Sequence, residues 1–343
     1  MNIEWQDFLL NHGGQANGQR QVNFAAPQQE ITAAQTQAVL ANLDHLGVIQ
    51  VSGADAQTFL QAQFSNDIAQ LDSAHAQLNA YCNPKGRMFA QFIVVPHNDT
   101  YFLLLPHEIL NKVLMRLRMF VLRSQVVLED MSETYLCLGI INHHMTNTLS
   151  KLGDLPTTPY ALTEQNEQLL VNIPSPFPRY LVITRIEQAK ALWQIDDITK
   201  TGANIWQWCD IQAGIPTIWQ ETLEEFVPQM VNLELIGGVN FKKGCYPGQE
   251  IVARMHYLGK PKRRMFRLHT TDIEVPSPGT QLYLPDGNGQ SIGKVVSAQQ
   301  NPEQGVDLLA VIQLSHIDAP QIHLNEATGP QLDMQELPYS LDS

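Results

Sequence analysis

The chain is poor in cysteine, in cations and in long apolar runs, and each shortage closes off a class of function. Its four cysteines, Cys82, Cys137, Cys209 and Cys245, are widely spaced over 343 residues and form no C-x-x-C pair. That spacing fits a reducing cytoplasm rather than a disulfide framework, so a cytoplasmic location is expected. It also speaks against a four-cysteine iron–sulfur site in the chain itself, whose ligands ordinarily cluster. No run approaches the roughly 18 apolar residues of a membrane helix, so no membrane partner is expected. The first residues carry Glu4 and Asp7 and no basic stretch ahead of an apolar core, so they do not read as a secretory signal. Lysine and arginine number 21 against 34 acids, for a net charge of −13. No stable nucleic-acid binding is therefore expected. Internal repeats, a Walker loop, a dinucleotide fingerprint and an H-E-x-x-H zinc motif are all missing. Adjacent His143 and His144 point different ways on a helix or strand, and no metal site is expected from them.

What is present reads as an α+β protein. At 343 residues, two or three domains are expected. Residues 11–38, rich in Gln, Asn, Gly and Ala, read as a loosely ordered arm. Val48–Val51 is a short strand, and Ala56, Phe59, Leu60 and Phe64 then share one face of a helix. Leu78–Cys82 and Arg87–Val95 form a hairpin about Asn83-Pro84-Lys85-Gly86, with Pro and Gly where a type I turn prefers them. A strand at Tyr101–Leu105 and an amphipathic helix at 107–122 follow. Strands at 126–128, 135–141, 169–173 and 180–184 and a helix at 185–193 make a second α+β group. A helix at 203–213 carries Trp206 and Trp208, which cannot both face one core, so one of them is freer to stack on a ligand. Beyond residue 260, short strands at 264–269, 279–284, 292–299 and 306–314 suit a small β-barrel. The turn Asp286-Gly287-Asn288-Gly289 is a strong hairpin signal within it. The expected division is 1–130 plus 200–260, 131–199, and 261–343.

The most informative stretch is F-K-K-G-C-Y-P-G-Q-E-I-V-A-R, from Phe241 to Arg254. Gln249 and Glu250 open a segment in which Ile251, Met255 and Leu258 recur about one turn apart. Proline suits a first helical turn, so Cys245 is placed at or just before a helix N-terminus. A free thiol of pKa about 8.5 is only about 3 % ionised at pH 7, and nearby lysines or a helix N-terminus raise that fraction. The same groups attract a carboxylate or a phosphate. From Lys242 to Arg267, eight basic residues face Glu250 alone, a local charge of +7 that leaves −20 on the rest of the chain. A basic island around a reactive thiol points to an anionic ligand.

This stretch resembles the signature K-G-C-Y-x-G-Q-E of the YgfZ family, in the folate-binding superfamily of the glycine cleavage T protein. Further stretches agree in order: V-S-G-A-D at 51–55 with F-L-Q at 59–61, N-P-K-G-R at 83–87, A-G-I-P at 213–216, F-V-P-Q at 226–229, and the tail L-P-Y-S-L at 337–341. The resemblance runs from about residue 40 to the end. It implies a T-protein-like body of two α+β units with a C-terminal β-barrel. It implies tetrahydrofolate or a derivative as cofactor, with Trp206 stacked on its ring. Lys243 and Arg254 would meet its glutamate tail, and Tyr246, Gln249 and Glu250 would lie beside them. Cys245 would act as the thiolate. The implied role is support of iron–sulfur cluster assembly or repair and of tRNA modification, with iron–sulfur assembly or client proteins as partners.

Two alternatives stay open, and so does the question of whether any reaction is catalysed. One is a non-enzymatic adaptor, which fits Leu46 standing where related proteins can carry a second folate-facing tryptophan. The other is a one-carbon transferase, which would need a carboxylate near the folate's reactive nitrogen. Asp55 and Asp67 read more simply as helix-end residues.

Overall fold

The computed structural model describes residues 2–17, 21–141, 153–271, 274–285, 289–319 and 321–341. The expected turn at Asp286-Gly287-Asn288 and the pair His143-His144 lie outside them. The chain forms two compact units. The first comprises Met1–Phe59, Gln70–Gln77 and Phe92–Cys209, and the second Leu60–Ala69, Leu78–Gln91 and Asp210–Ser343.

The first unit holds a six-stranded sheet in the order Leu162–Gln165, Gln168–Asn172, Arg179–Thr184, Leu136–Ile141, Val39–Asn42, Thr199–Thr201. Its central strands are buried along their whole length and read as unbroken apolar runs, Leu-Cys-Leu-Gly-Ile-Ile being the clearest. Gly139 faces both Leu181 and Ala41 across the sheet. A five-stranded sheet runs Gln77–Cys82, Met88–His97, Thr100–Pro106, Leu46–Ser52, Val127–Asp130, its last four strands antiparallel. Helix His107–Arg118 lays Ile109, Leu110, Val113, Leu114 and Leu117 onto it, the i, i+3, i+4 stripe read from the sequence. The helix is shorter than expected, because the backbone leaves helical geometry and reaches φ 48° at Leu122.

The arm expected at residues 11–38 is not loose. Helix Pro27–Thr36 and the strands Gln15–Asn17 and Gln21–Asn23 occupy it, and an unforeseen helix Ile3–Asn11 precedes it. A buried carboxylate is the organising group: Glu30 accepts hydrogen bonds from the amides of Phe24, Ala25 and Gly202. Trp5, Leu9 and Val22 join the core of Leu138, Leu170, Val182 and Trp193. Few apolar residues carry this packing, which is why composition hid it.

The second unit contains the expected hairpin turn and a closed barrel. In the turn, Asn83 N–H donates to the Arg87 carbonyl, and the Asn83 side chain accepts from the amides of Lys85 and Arg87. The barrel order is Arg263–Thr270, Val306–Gln313, Gly293–Gln300, Gln281–Tyr283, Ile322–Leu324, Gln331–Gln335. The last two strands, unread in the sequence, return the sheet to its first strand and leave no open edge. Leu268, Leu282, Val295, Leu308 and Ile312 fill the interior. The architecture is α+β with a terminal β-barrel. Among the described residues no helix is long and apolar enough to cross a membrane.

Candidate functional site

The signature segment is held by a turn, a buried lysine and a helix, all within the second unit. Helix Gln249–Leu258 begins at Gly248, with Gly248 at φ 82°, ψ 0°. The amide of Gln249 donates to the Tyr246 carbonyl. Pro247 and Gly248 therefore occupy the second and third positions of a type II turn, which requires positive φ at the third. This corrects the expectation that Pro247 lies in the first helical turn: it precedes the cap, and Cys245 stands three residues before Gly248. A side chain at 248 is also excluded by contact. A Cβ there would lie 2.5 Å from the Asn83 carbonyl oxygen and 2.6 Å from Gly86 Cα. The N-P-K-G turn and the signature turn thus meet backbone to backbone.

The helix does not bury the stripe Ile251, Met255, Leu258. Its buried residue is Val252, whose carbonyl accepts from Gln229, while Ile251 and Leu258 are exposed. The helical period was legible, but not the face that turns inward.

Lys243 is 7 % exposed. Its ammonium donates to the carbonyls of Gln61 (2.6 Å) and Phe64 (2.5 Å), at the end of the helix containing Phe59 and Leu60, and lies 5.2 Å from the Tyr246 ring centre. Cations at a helix C-terminus satisfy carbonyls that have no intrahelical partner. Its charge is thus engaged in holding the signature loop. Burial lowers its pKa to about 8, against a smaller opposing effect of Asp67. Burial likewise raises the Tyr246 phenol. The Lys243 shift carries a sign. Between about pH 8 and the ordinary 10.5 the folded chain has released a proton that the unfolded chain still binds. Stability contributed at this residue therefore rises with pH across that window. In urea titrations from pH 7.5 to 10, the wild type should gain on Lys243→Met; a constant difference would contradict the lowered pKa.

Cys245 alone of the four cysteines is exposed. Burial pushes the thiols of Cys82 and Cys137 up to about 12. Beside Cys245, Gly244 is open, since a Cβ there would meet nothing within 4 Å. Lys242, Glu250 and Arg254 are exposed, and Gln249 is half-buried with its amide 3.4 Å from the Lys243 carbonyl. Phe241 stacks on His256 at 3.8 Å and 9°, with Tyr257 edge-on to both. That aromatic cluster was not anticipated, although Phe241 and the His-Tyr pair flank the signature.

Trp206 belongs to the first unit, in helix Asn204–Gln212. Neither tryptophan of this helix is free of the core: Trp206 is 4 % and Trp208 5 % exposed. Ile205, Cys209 and Ile211 are buried with them, and the polar Asn204, Gln207, Asp210 and Gln212 are half-buried, so no side of the helix is fully open. Trp208 lies parallel to Phe177. Trp206 presses on Gly139, where any Cβ would come within 2.5 Å of its ring. The guanidinium of Arg179, itself fully buried, sits 4.5 Å above the Trp206 ring and donates to the carbonyls of Trp206 and Pro174. Arg179 carried no signal in the sequence, because its partner is 27 residues away. Among the described residues no cluster of three or more His, Cys, Asp or Glu side chains could hold a metal ion.

Four similarities bear on this arrangement. The family described as GCVT N-terminal domain matches residues 6–163. The tRNA-modifying protein YgfZ of Enterobacter sp. (strain 638) is 30 % identical over 320 residues, 92 % of this chain and 98 % of that protein. Its counterpart in Yersinia pseudotuberculosis serotype IB (strain PB1/+) is 29 % identical over 93 % of this chain and 97 % of its own length. Among solved structures, the glycine cleavage system aminomethyltransferase T from Bartonella henselae superposes with a TM-score of 0.75, covering 98 % of this chain and 97 % of that one. At 16 % identity that likeness establishes a common fold.

Proposed function

The chain belongs to the YgfZ family of tRNA-modifying proteins, and from that premise we propose that it binds a folate and supports the assembly or repair of iron–sulfur enzymes, and through them tRNA modification, with Cys245 as its reactive group. The observation that carries the reading is the exposure of Cys245 on a loop whose other anchors are buried or backbone-locked. Lys243 ties one side of the loop to two carbonyls, and Gly248 seats the other against the Asn83–Gly86 turn. A thiol so presented can reach a macromolecular substrate while its own backbone stays fixed. It can act as a nucleophile, or as a transient acceptor or ligand for sulfur or iron.

The match to the GCVT N-terminal domain family supports tetrahydrofolate or a derivative as cofactor. The residues fit such a ligand at its acidic end. Arg254 is an exposed cation suited to a carboxylate. The exposed Lys242 takes the place expected of Lys243, whose ammonium is engaged by two carbonyls. Gln249 can donate to the tail, and Glu250 can accept from its amide N–H. Bound folate would supply a one-carbon carrier. Trp206 is proposed to face its ring, and Arg179, stacked on that indole, would fix the indole's orientation. Addition of tetrahydrofolate should quench tryptophan emission, and Trp206→Phe should remove most of the quench. An undiminished quench in the variant would make Trp206 a core residue held by Arg179 and nothing more. No quench in the wild type would remove the folate.

A second reading, a non-enzymatic adaptor docking on iron–sulfur assembly or client proteins, is favoured by one feature. The signature helix turns Ile251, Tyr257 and Leu258 to solvent instead of into a core. Restoration of iron–sulfur enzyme activity by Cys245→Ser separates the two, because an adaptor needs no thiol.

A further inference from the structure

The outer face of the signature helix combines exposed rings with a net positive charge, and we propose that it binds single-stranded RNA, as a short loop or end with unstacked bases. In helix Gln249–Leu258 the residues Glu250, Arg254, Tyr257 and Leu258 follow the i, i+4, i+7, i+8 pattern of one face. All four are exposed, Tyr257 to 63 % and Leu258 to 84 %. Behind Tyr257, Phe241 and His256 are already stacked at 3.8 Å with planes 9° apart. Tyr257 meets His256 at a steep angle with ring centres 4.7 Å apart, and at 63 % exposure its outward side is open to a further aromatic plane.

The charge around this platform is predominantly positive, with Glu250 the one acid of its stretch of chain. Lys242 precedes it, Arg254 lies on it, and Lys260, Lys262 and Arg263 follow the helix end, all exposed. Lys85 is added from a separate part of the chain. Its neighbour Gly86 lies against Ile251, with a Cβ at 86 falling 3.1 Å from the Ile251 Cβ. Glu250 is the only acid between Lys242 and Arg267. An acidic protein would satisfy the cations and leave the rings without a partner. A nucleic acid duplex would satisfy the cations and hide its bases. Unstacked bases beside a phosphate backbone satisfy both, since every base offers a π-face and each phosphate a charge. RNA is the choice among nucleic acids because the relatives are tRNA-modifying proteins, and in that respect the inference rests on the family reading. The −13 net charge limits the contact to this island, so the footprint is a few nucleotides and binding is strongly salt-dependent.

The test is fluorescence anisotropy of the full-length protein with a labelled mixed-sequence RNA of about 12 nucleotides, within the site sizes typical of such surfaces. With about four phosphates neutralised, raising salt from about 50 to about 200 mM should weaken binding roughly fiftyfold. Tyr257→Ala should weaken it about tenfold at fixed salt, the loss of one stacked base. Lys260→Glu, on an exposed side chain, should lower affinity and flatten the salt dependence. The proposal is overturned by any of three results: no binding at the lower salt, equal affinity for a duplex of the same length, or unchanged affinity in both variants. Equal competition by polyglutamate would likewise overturn it, leaving a surface that reads charge alone. Neither substitution touches Cys245 or the folate residues. A native protein that restores iron–sulfur enzymes and binds no RNA would therefore defeat this inference and leave the proposed function standing.

Discussion

Cys245→Ser is expected to fold as the native chain does and to fail completely in restoring iron–sulfur enzyme activity to cells that lack the protein. The folding half follows from exposure. The sulfur packs in no core, its neighbour Gly244 faces open space, and the loop is held by Lys243, Gly248 and Val252 instead. Surface substitutions away from such anchors ordinarily change stability by about 0.5 kcal/mol or less. The functional half follows from chemistry. A hydroxyl near neutral pH is neither an ionised nucleophile nor a soft ligand, whereas a thiol is partly both. No other cysteine can take over, because Cys82, Cys137 and Cys209 are all buried. Immunoblotting for abundance and the activity of an iron–sulfur enzyme in the same cells check the two halves. Full restoration by the serine variant would transfer the account to the adaptor.

The second large effect is expected at Gly248. Replacement by alanine places a Cβ where two backbone segments already touch, 2.5 Å from the Asn83 oxygen and 2.7 Å from the Gly86 nitrogen. The left-handed conformation costs a non-glycine residue roughly 1–2 kcal/mol. Forcing the two turns apart adds about 1–3 kcal/mol, as overpacking does elsewhere. Gly237 supplies the control, since its φ is 80° and a Cβ there would meet nothing. Gly237→Ala should show only the conformational part. Gly248→Ala should cost measurably more in urea unfolding and should expose the loop before Tyr246 to proteolysis. Equal effects at the two positions would mean that the signature turn is not seated on the Asn83–Gly86 turn.

Much of the fold was legible because its rules are local. The Asn83–Gly86 hairpin, the stripe Ile109–Leu117 and the first four barrel strands each follow from turn chemistry or a period of 2 or 3.6 residues. The helix opening at Gln249 was legible for the same reason. The inward or outward sense of individual signature residues was not. Lys243 reads as a free cation until the carbonyls of Gln61 and Phe64 are found beside it, 182 and 179 residues away in sequence. Trp206 likewise gives no sign in the sequence of Gly139 and Arg179, which pack on its ring. The N-terminal elements stayed hidden because the buried carboxylate of Glu30 and a few scattered apolar side chains, Trp5, Leu9 and Val22 among them, hold them. Long-range satisfaction of polar groups leaves no periodic trace, so it decides the site while remaining silent in the sequence.

The most direct measurement is the activity of the native protein after reaction with one equivalent of iodoacetamide, the site of modification being mapped by peptide mass spectrometry. The account predicts a single label at Cys245, an unchanged fold, and loss of the ability to restore iron–sulfur enzymes in extract. A protein labelled at Cys245 and still fully active would contradict it.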